Sequence, residues 1–401
     1  MNAQITAQGC DGKRYLQDVF TTSTVSTITY GSYLAYGTPT DLLADIYQPA
    51  KDTIKKRPLL ILAFGGGFVA GTRSDNYMIA LAQSYTKKGY VCASIDYRIY
   101  DFAQGAPDSS IIIPVIIQAQ QDMRAAVRYF KKDAATVNKY GIDTMNIIVG
   151  GISAGAITAM NVGYLRDTTT NIPAWLQAII KAQGGIEGNN GNVGYTSSVK
   201  GVISMSGGLY KKEWINKNSP PFAAYHGTAD VVVPFARNLN VYNFFTDGDK
   251  VCADYAAALG VPSVLLNVPG GGHTDIYDTN GKFASYFAQW NIIAPTFLKQ
   301  LVCGEKITGT TPTEEITAAF KFNLYPNPSQ DFINLEIQNI GNTTSNYSAE
   351  IFDVSGSILK KYSFNNASIQ INKSDFGRGL FFVKVTDNTG GSTVQKIVFV
   401  D

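Results

Sequence analysis

From Arg57 onward the chain alternates short apolar runs with stretches of helical period, and few architectures accommodate that alternation. PLLILAF (58–64) leads into a helix-like segment reaching Lys88, then YVCASIDYR (90–98), then the amphipathic QAQQDMRAAVRYFKKDAATV (118–137). The pattern continues with MNIIVGG (145–151), a small-residue helix from Ala154, the strands KGVISMSG (200–207) and PFAAYHG (221–227), a helix near Asn238, the strand SVLLNVPG (263–270) and a last helix ending near Cys303. Repeated β-α-β order of this kind predicts a doubly wound, mostly parallel α/β sheet of about 300 residues. We place this first domain at 1–305.

A change of texture follows. KITGTTPTEE (306–315) has no apolar periodicity and is rich in Thr, Gly and Pro, as expected of a linker, placed at 306–319. From 320 to 401 short runs alternate with period two (FINLEIQ, SAEIFDV, SIQIN, LFFVKVT, TVQKIVFV) between Asn, Gly, Ser and Asp turns, which predicts a small all-β sandwich. The triplet Asn366-Ala367-Ser368 fits a glycosylation acceptor but is read as a chance match in a chain so rich in Asn and Ser.

Composition removes several classes of function. With 45% hydrophobic and 16% charged residues, the 401-residue chain is neither disordered nor a coiled coil. Its 33 Lys and Arg against 31 Asp and Glu, without a basic run, argue against nucleic acid or an anionic membrane surface as partner. The most apolar window, Ile111 to Ile117, is interrupted by Pro114 and far shorter than the roughly 20 residues of a spanning helix, so no transmembrane segment is expected. MNAQITAQGC lacks the basic and apolar regions of a secretory signal peptide, and none is expected in this chain. Four scattered cysteines are too few for a metal cluster and leave room for one or two bridges; Cys92, in an apolar run, is read as a buried free thiol.

The chemistry concentrates at strand ends. Gly151-Ile152-Ser153-Ala154-Gly155 stands where MNIIVG meets a helix, and small residues two positions either side of Ser153 allow the sharp turn that exposes a nucleophilic oxygen. Phe64-Gly65-Gly66-Gly67-Phe68 directly follows LLILA; its unshielded N–H groups suit developing negative charge, so Gly66, Gly67 and Ala154 are assigned as an oxyanion hole. That run lacks the Gly-Lys-Ser/Thr of a nucleotide loop. A serine nucleophile needs a base, and the chain has two histidines. His273 follows a strand and a Pro-Gly-Gly-Gly loop and is read as the base; His226, ending PFAAYH, is read as structural. Asp230 in HGTADVVVP is the orienting acid, preferred over Asp275, which lies too close in sequence to His273 to reach its far nitrogen. The order Ser153, Asp230, His273 suits an α/β-hydrolase sheet.

Taken together, Gly-Gly-Gly-Phe after one strand, Asp96-Tyr97-Arg98 after the next, GISAG, and HGTAD before a late His resemble the α/β-hydrolase superfamily, nearest to carboxylesterases and lipases of the hormone-sensitive-lipase or type-B kind, over about Asp41 to Val302. Phe64 stands where that family usually has His before the glycines, which implies a different anchoring of the loop, and Ile152 replaces a common acidic residue. The tail resembles the C-terminal sorting domain of the bacterial type IX secretion route from Leu324-Tyr325-Pro326-Asn327-Pro328-Ser329, the turn Asp353-Val354-Ser355-Gly356, Gly379-Leu380-Phe381 and Lys396-Ile397-Val398. The resemblance implies an exported serine esterase of short-acyl esters, with the type IX machinery as partner and neither metal nor organic cofactor. Polysaccharide acetyl or feruloyl esters, small lipids and polyesters are the candidate substrates. A serine peptidase on the same fold and a non-catalytic surface binding protein are the alternatives. Tyr100 to Ser110 and Gly184 to Ser198 are read as loops shaping the pocket.

Overall fold

A computed structural model describes residues 8–10, 12–35, 37–308, 321–338, 346–352, 358–365, 368–386 and 392–400. The chain divides into two compact units, Met1–Thr311 and Pro312–Asp401. Most of the expected linker, from 309 on, lies outside the described residues, as do the turn at 353–356 and the first two residues of the 366–368 triplet.

The first unit opens with β1 (Ser23–Ala35) and β2 (Thr38–Pro49), paired antiparallel. Then come β3 (Arg57–Ala63), α1 (Asn76–Lys87), β4 (Val91–Ile95), α2 (Ser109–Ala135), β5 (Ile142–Ile152), α3 (Ala154–Tyr164), α4 (Ala174–Ala182), β6 (Gly201–Met205), β7 (Gly208–Leu209), β8 (Phe222–Gly227), β9 (Arg237–Leu239), β10 (Phe245–Gly248), α5 (Asp249–Ala258), β11 (Ser263–Val268) and α6 (Ala284–Val302). Eight strands form one sheet in the order β1-β2-β4-β3-β5-β6-β8-β11, parallel from β4 to β11. This is the doubly wound, mostly parallel sheet expected, extended by an antiparallel pair at one edge.

Burial follows from that position. Every residue of β3 (RPLLILA) and β4 (VCASI) is buried, because parallel strands lined by helices on both faces have no wet side. β1, at the sheet edge, alternates in exposure. All of α3 (AGAITAMNVGY) is buried, and its small residues let it lie close on the sheet: a Cβ on Gly163 would stand 2.7 Å from a Val202 methyl. Cys92 is a buried free thiol, as is Cys252, while Cys10 and Cys303 form a disulfide linking the two ends of the unit, 293 residues apart.

Three elements differ from expectation. No helix forms near Asn238; β9 and β10 make an antiparallel hairpin there, and the helix starts only at Asp249. The turn chemistry explains this: Asn240 Oδ1 accepts from the Tyr242 N–H at 2.9 Å and Asn243 takes φ +61°, neither compatible with a continuing helix. The long helix begins at Ser109, because Asp108 caps it by accepting from the Ser110 N–H at 2.8 Å, and it runs through Pro114. The segment 184–198 is fastened along α2: Gln120 donates to the Ile186 carbonyl at 2.7 Å, Arg128 to that of Glu187 at 2.9 Å and Lys131 to that of Ser198 at 2.8 Å.

The second unit holds β12 (Lys321–Tyr325), β13 (Phe332–Gln338), β14 (Tyr347–Phe352), β15 (Ile358–Phe364), β16 (Ser368–Asn372), β17 (Gly379–Thr386) and β18 (Ser392–Phe399). They form two antiparallel sheets, β12-β13-β16 and β15-β14-β17-β18. Ile333, Leu335 and Ile371 from one sheet and Ile351, Val383 and Ile397 from the other share one buried core, so the unit is an all-β sandwich.

Candidate active site

The central strand β5 ends at Ile152, and Ser153 turns the chain into α3 with φ +55° and ψ −118°. A non-glycine residue in that region is strained, typically by about 1–3 kcal/mol, and persists only where its surroundings dictate it. Here they do so by close approach. A Cβ on Gly155 would stand 2.1 Å from the Ala63 carbonyl oxygen, and one on Gly151 would stand 2.5 Å from the same atom. The Ser153 N–H donates to the Met205 carbonyl at 2.8 Å, tying the turn to β6.

His273 arrives on the loop after β11. Its Nε2 lies 2.8 Å from Ser153 Oγ and its Nδ1 lies 2.6 Å from Asp230 Oδ2. Asp230, on the loop after β8, is buried, and its Oδ1 accepts from the N–H groups of Val232 and Val233 at 2.8 and 3.0 Å. The two loops are stitched together: Thr228 N–H donates to the Val268 carbonyl and Ala229 N–H to that of Gly271, both at 2.9 Å. Asp275 is engaged within its own loop, where it accepts from the Gly272 N–H at 2.7 Å. The structure thus brings Ser153, His273 and Asp230 into one hydrogen-bonded line.

Behind Asp230 stands a residue whose importance is invisible in its motif. His226 is fully buried, with Nδ1 2.9 Å from Asp249 Oδ2 and Nε2 3.2 Å from Asp230 Oδ2. Burial alone would lower its pKa, but the hydrogen bonds with Asp230 and Asp249 outweigh that and raise it to about 10. Burial likewise works to raise Asp230, and its bonds with His226 and His273 prevail and hold it down at about 2.

The glycine run lies against Ser153: a Cβ on Gly65 would stand 3.3 Å from that of Ser153. Gly66 and Gly67 have φ +121° and +61°, which suits glycine. Among the described residues no protein acceptor takes the N–H of Gly66, Gly67 or Ala154. The expected difference in anchoring has a concrete form. The Phe64 ring stacks on Tyr97 at 4.2 Å, the Tyr97 hydroxyl donates to the Phe64 carbonyl at 2.7 Å, the Gly65 N–H donates to the Tyr77 hydroxyl at 3.0 Å, and the Tyr242 hydroxyl donates to the Gly67 carbonyl. Three tyrosines far apart in sequence hold the loop, a signal no local motif contains.

An apolar cleft starts one helical turn from Ser153, at Ile157, whose N–H donates to the Ser153 carbonyl at 2.9 Å. Trp175, Tyr210, Trp214 and Phe244 form its aromatic walls, with Ile113 and Ile117 from α2. The Trp214 indole N–H is buried without a partner among the described residues. Of the two loops expected to shape the pocket, Tyr100–Ser110 abuts the glycine loop through the Tyr100 N–H to the Phe68 carbonyl at 2.7 Å. The other, 184–198, contributes nothing to the cleft and instead lines a polar groove with Arg124 and Arg166, because its bonds bind it to α2.

Residues 44–210 match the BD-FAE family model, and residues 323–400 match the secretion system C-terminal sorting domain. Esterase LipC of Mycobacterium tuberculosis is 24% identical over 258 residues, covering 59% of this chain and 58% of LipC. The chain therefore spans less than two thirds of that relative. A chlorogenic acid esterase of Aspergillus niger is 27% identical over 164 residues, covering 38% of this chain and 30% of the relative. Among solved structures, a propionate-bound thermophilic esterase of Thermogutta terrifontis superposes with a TM-score of 0.51 at 18% identity, covering 70% of this chain and 96% of its own.

The first unit has the α/β-hydrolase fold. In this fold the turn at Ser153, the glycine loop and the two loops carrying Asp230 and His273 all follow the C-terminal ends of parallel strands, where open α/β sheets place their sites. The second unit carries the match to the secretion system C-terminal sorting domain. Among the described residues no helix is long and apolar enough to cross a membrane, and no cluster of His, Cys, Asp or Glu has the makings of a metal site.

Proposed function

We propose that the chain is an exported serine carboxylic ester hydrolase working through Ser153, His273 and Asp230. The observation that carries this reading is the placement of His273 between Ser153 Oγ at 2.8 Å and Asp230 Oδ2 at 2.6 Å. His273 Nε2 takes the proton of Ser153 as Oγ attacks the ester carbonyl. The N–H groups of Gly66, Gly67 and Ala154 hold the oxygen that becomes negative. As the tetrahedral intermediate collapses, His273 returns the proton to the departing alcohol; water then repeats the cycle on the acyl-enzyme. Asp230 keeps the Nδ1 proton facing itself, so that Nε2 faces the serine, and balances the imidazolium as it forms.

The cleft with aromatic walls that begins at Ile157, one helical turn beyond Ser153, supports an ester with a planar or otherwise apolar part. Of the candidate classes this favours feruloyl-type esters over simple acetyl esters, in keeping with the name of the chlorogenic acid esterase it resembles. The sorting domain supports export by the type IX route, with the substrate outside the cell.

The test is hydrolysis of p-nitrophenyl esters from acetate to long acyl chains, together with methyl ferulate and a matched amide, by the wild type and Ser153→Ala. We expect ester turnover to exceed amide turnover and kcat to fall at least about ten-thousand-fold in the variant. A folded wild type inactive on every ester would end the esterase reading, and equal amide turnover would favour a peptidase.

A further inference from the structure

His226, next to last in β8, has both ring nitrogens facing acceptors: Nδ1 faces Asp249 Oδ2 at 2.9 Å, and Nε2 faces the Val233 carbonyl at 3.0 Å and Asp230 Oδ2 at 3.2 Å. A neutral imidazole has a donor on one side and a lone pair on the other, so in this setting its lone pair would meet an oxygen lone pair. The ring is fully buried, and a ring protonated on both nitrogens satisfies every contact.

Among the described residues, the remaining groups around it supply no fixed cation for these carboxylates. From α5, Asp249 accepts from Ser204 Oγ at 2.7 Å and from the Gly207 N–H at 3.0 Å, while Cys252 is neutral, its thiol pushed up by burial. From the turn Asp275–Tyr277, the Tyr277 hydroxyl pairs with Ser206 Oγ at 2.6 Å, and Asp275 bonds its own loop. From β10, Asp247 is paired with Arg237 at 2.7 Å. The Phe235 ring closes the last side, edge-on at 5.5 Å. Asp230 and Asp249 thus share one ring between them.

We propose that His226 is a fixed imidazolium and a positioning residue, holding Asp230 ionised and aimed at His273; this rests on the esterase reading above. Asp230 Oδ1 is taken by two backbone donors, and Oδ2 faces both rings, so the carboxylate has one orientation and a counter-charge behind it. Without that counter-charge the whole negative charge of Asp230 would face His273, favour the protonated resting ring and remove the free base on the acid side of neutrality.

Two measurements test this on the full chain carrying no added histidines. The first labels the two histidine rings with 15N and assigns them with His226→Gln. In the wild type both nitrogens of His226 should carry protons from about pH 5.5 to about pH 8.5; a single neutral tautomer at about pH 7 overturns the proposal. The second compares pH profiles of kcat/KM for p-nitrophenyl acetate. His226→Gln should move the acid limb upward by about one pH unit with KM little changed. A uniform loss at every pH, with the limb in place, would mean a merely structural residue and overturn the positioning role. Should His226→Gln not fold, His273→Gln assigns the two rings, and the wild-type spectrum alone decides the charge. A wild type inactive on esters would defeat the esterase reading while leaving the spectrum to settle the state of His226.

Discussion

The two halves of the candidate site are held by different forces. On the side of the proposed nucleophile, Ser153 is fixed by steric closeness: Gly151 and Gly155 let the turn press against the Ala63 carbonyl, leaving no space for a Cβ. On the acid–base side, Asp230, His226 and Asp249 are fixed by charge, in an alternation of two buried carboxylates and the ring between them. Steric placement depends on local spacing and is indifferent to pH. Charge placement depends on residues brought together from separate elements and holds only while each keeps its protonation state.

Asp230→Asn attacks the charge side most directly. The amide preserves shape but offers His273 Nδ1 an N–H as readily as an oxygen, so the ring loses its enforced tautomer, and kcat should fall about ten-thousand-fold. Turnover of p-nitrophenyl acetate measures this. A variant within tenfold of the wild type would mean that packing alone orients His273, and the contrast between the halves would disappear.

Gly155→Ala attacks the steric side. A methyl group 2.1 Å from the Ala63 oxygen and 2.6 Å from that of Phe64 forces β3 and α3 apart, costing about 3 kcal/mol or more. Urea unfolding should give the same loss near pH 6 and near pH 9. A pH-dependent loss would show that the two halves are not independent.

The complementary prediction concerns pH itself. His226 binds its proton more tightly folded, where its pKa is about 10, than unfolded, near the ordinary 6.5. Its contribution to stability is therefore fully present below about pH 6.5 and lost as pH rises towards about 10, an effect of about 2–3 kcal/mol allowing for its coupling to Asp230 and Asp249. The excess stability of the wild type over His226→Gln should shrink across that window. If the difference stays constant, the buried ring is not charged.

The same contrast explains what could be read in advance. GISAG was legible because the requirement for small residues is local, and Asp230 and His273 followed from chain order and from there being two histidines to choose between. The partnership of His226 with Asp249 was not, since it joins a strand end to a helix start 23 residues later. The helix expected near Asn238 failed because three asparagines, at 238, 240 and 243, favour local turns over helical period. The β1–β2 pair escaped notice as an edge element whose TVSTITYGSY carries few of the long aliphatics that mark β3 and β4. The Cys10–Cys303 bridge spans nearly the whole unit, and no spacing rule reaches that far.

The glycine loop falls between the two cases, and Tyr242→Phe sharpens where it belongs. Its glycines are close-packed like those of the elbow, since a Cβ on Gly66 would stand 2.1 Å from the Ala70 oxygen, yet its outer carbonyls are held by tyrosine hydroxyls. Tyr242 comes from the β9–β10 hairpin, which also carries Phe244 into the aromatic cleft, so one short segment touches both the proposed oxyanion donors and the proposed substrate wall. Losing the hydroxyl leaves the Gly67–Phe68 peptide plane free to tilt, and with it the neighbouring planes that carry the Gly66 and Gly67 N–H groups. Because that interaction matters most in the transition state, kcat should drop about tenfold with KM nearly constant. An unchanged kcat would mean that backbone packing alone sets the donors, assigning the loop to the steric half. A raised KM with constant kcat would mean that the hairpin serves the cleft and leaves the donors untouched.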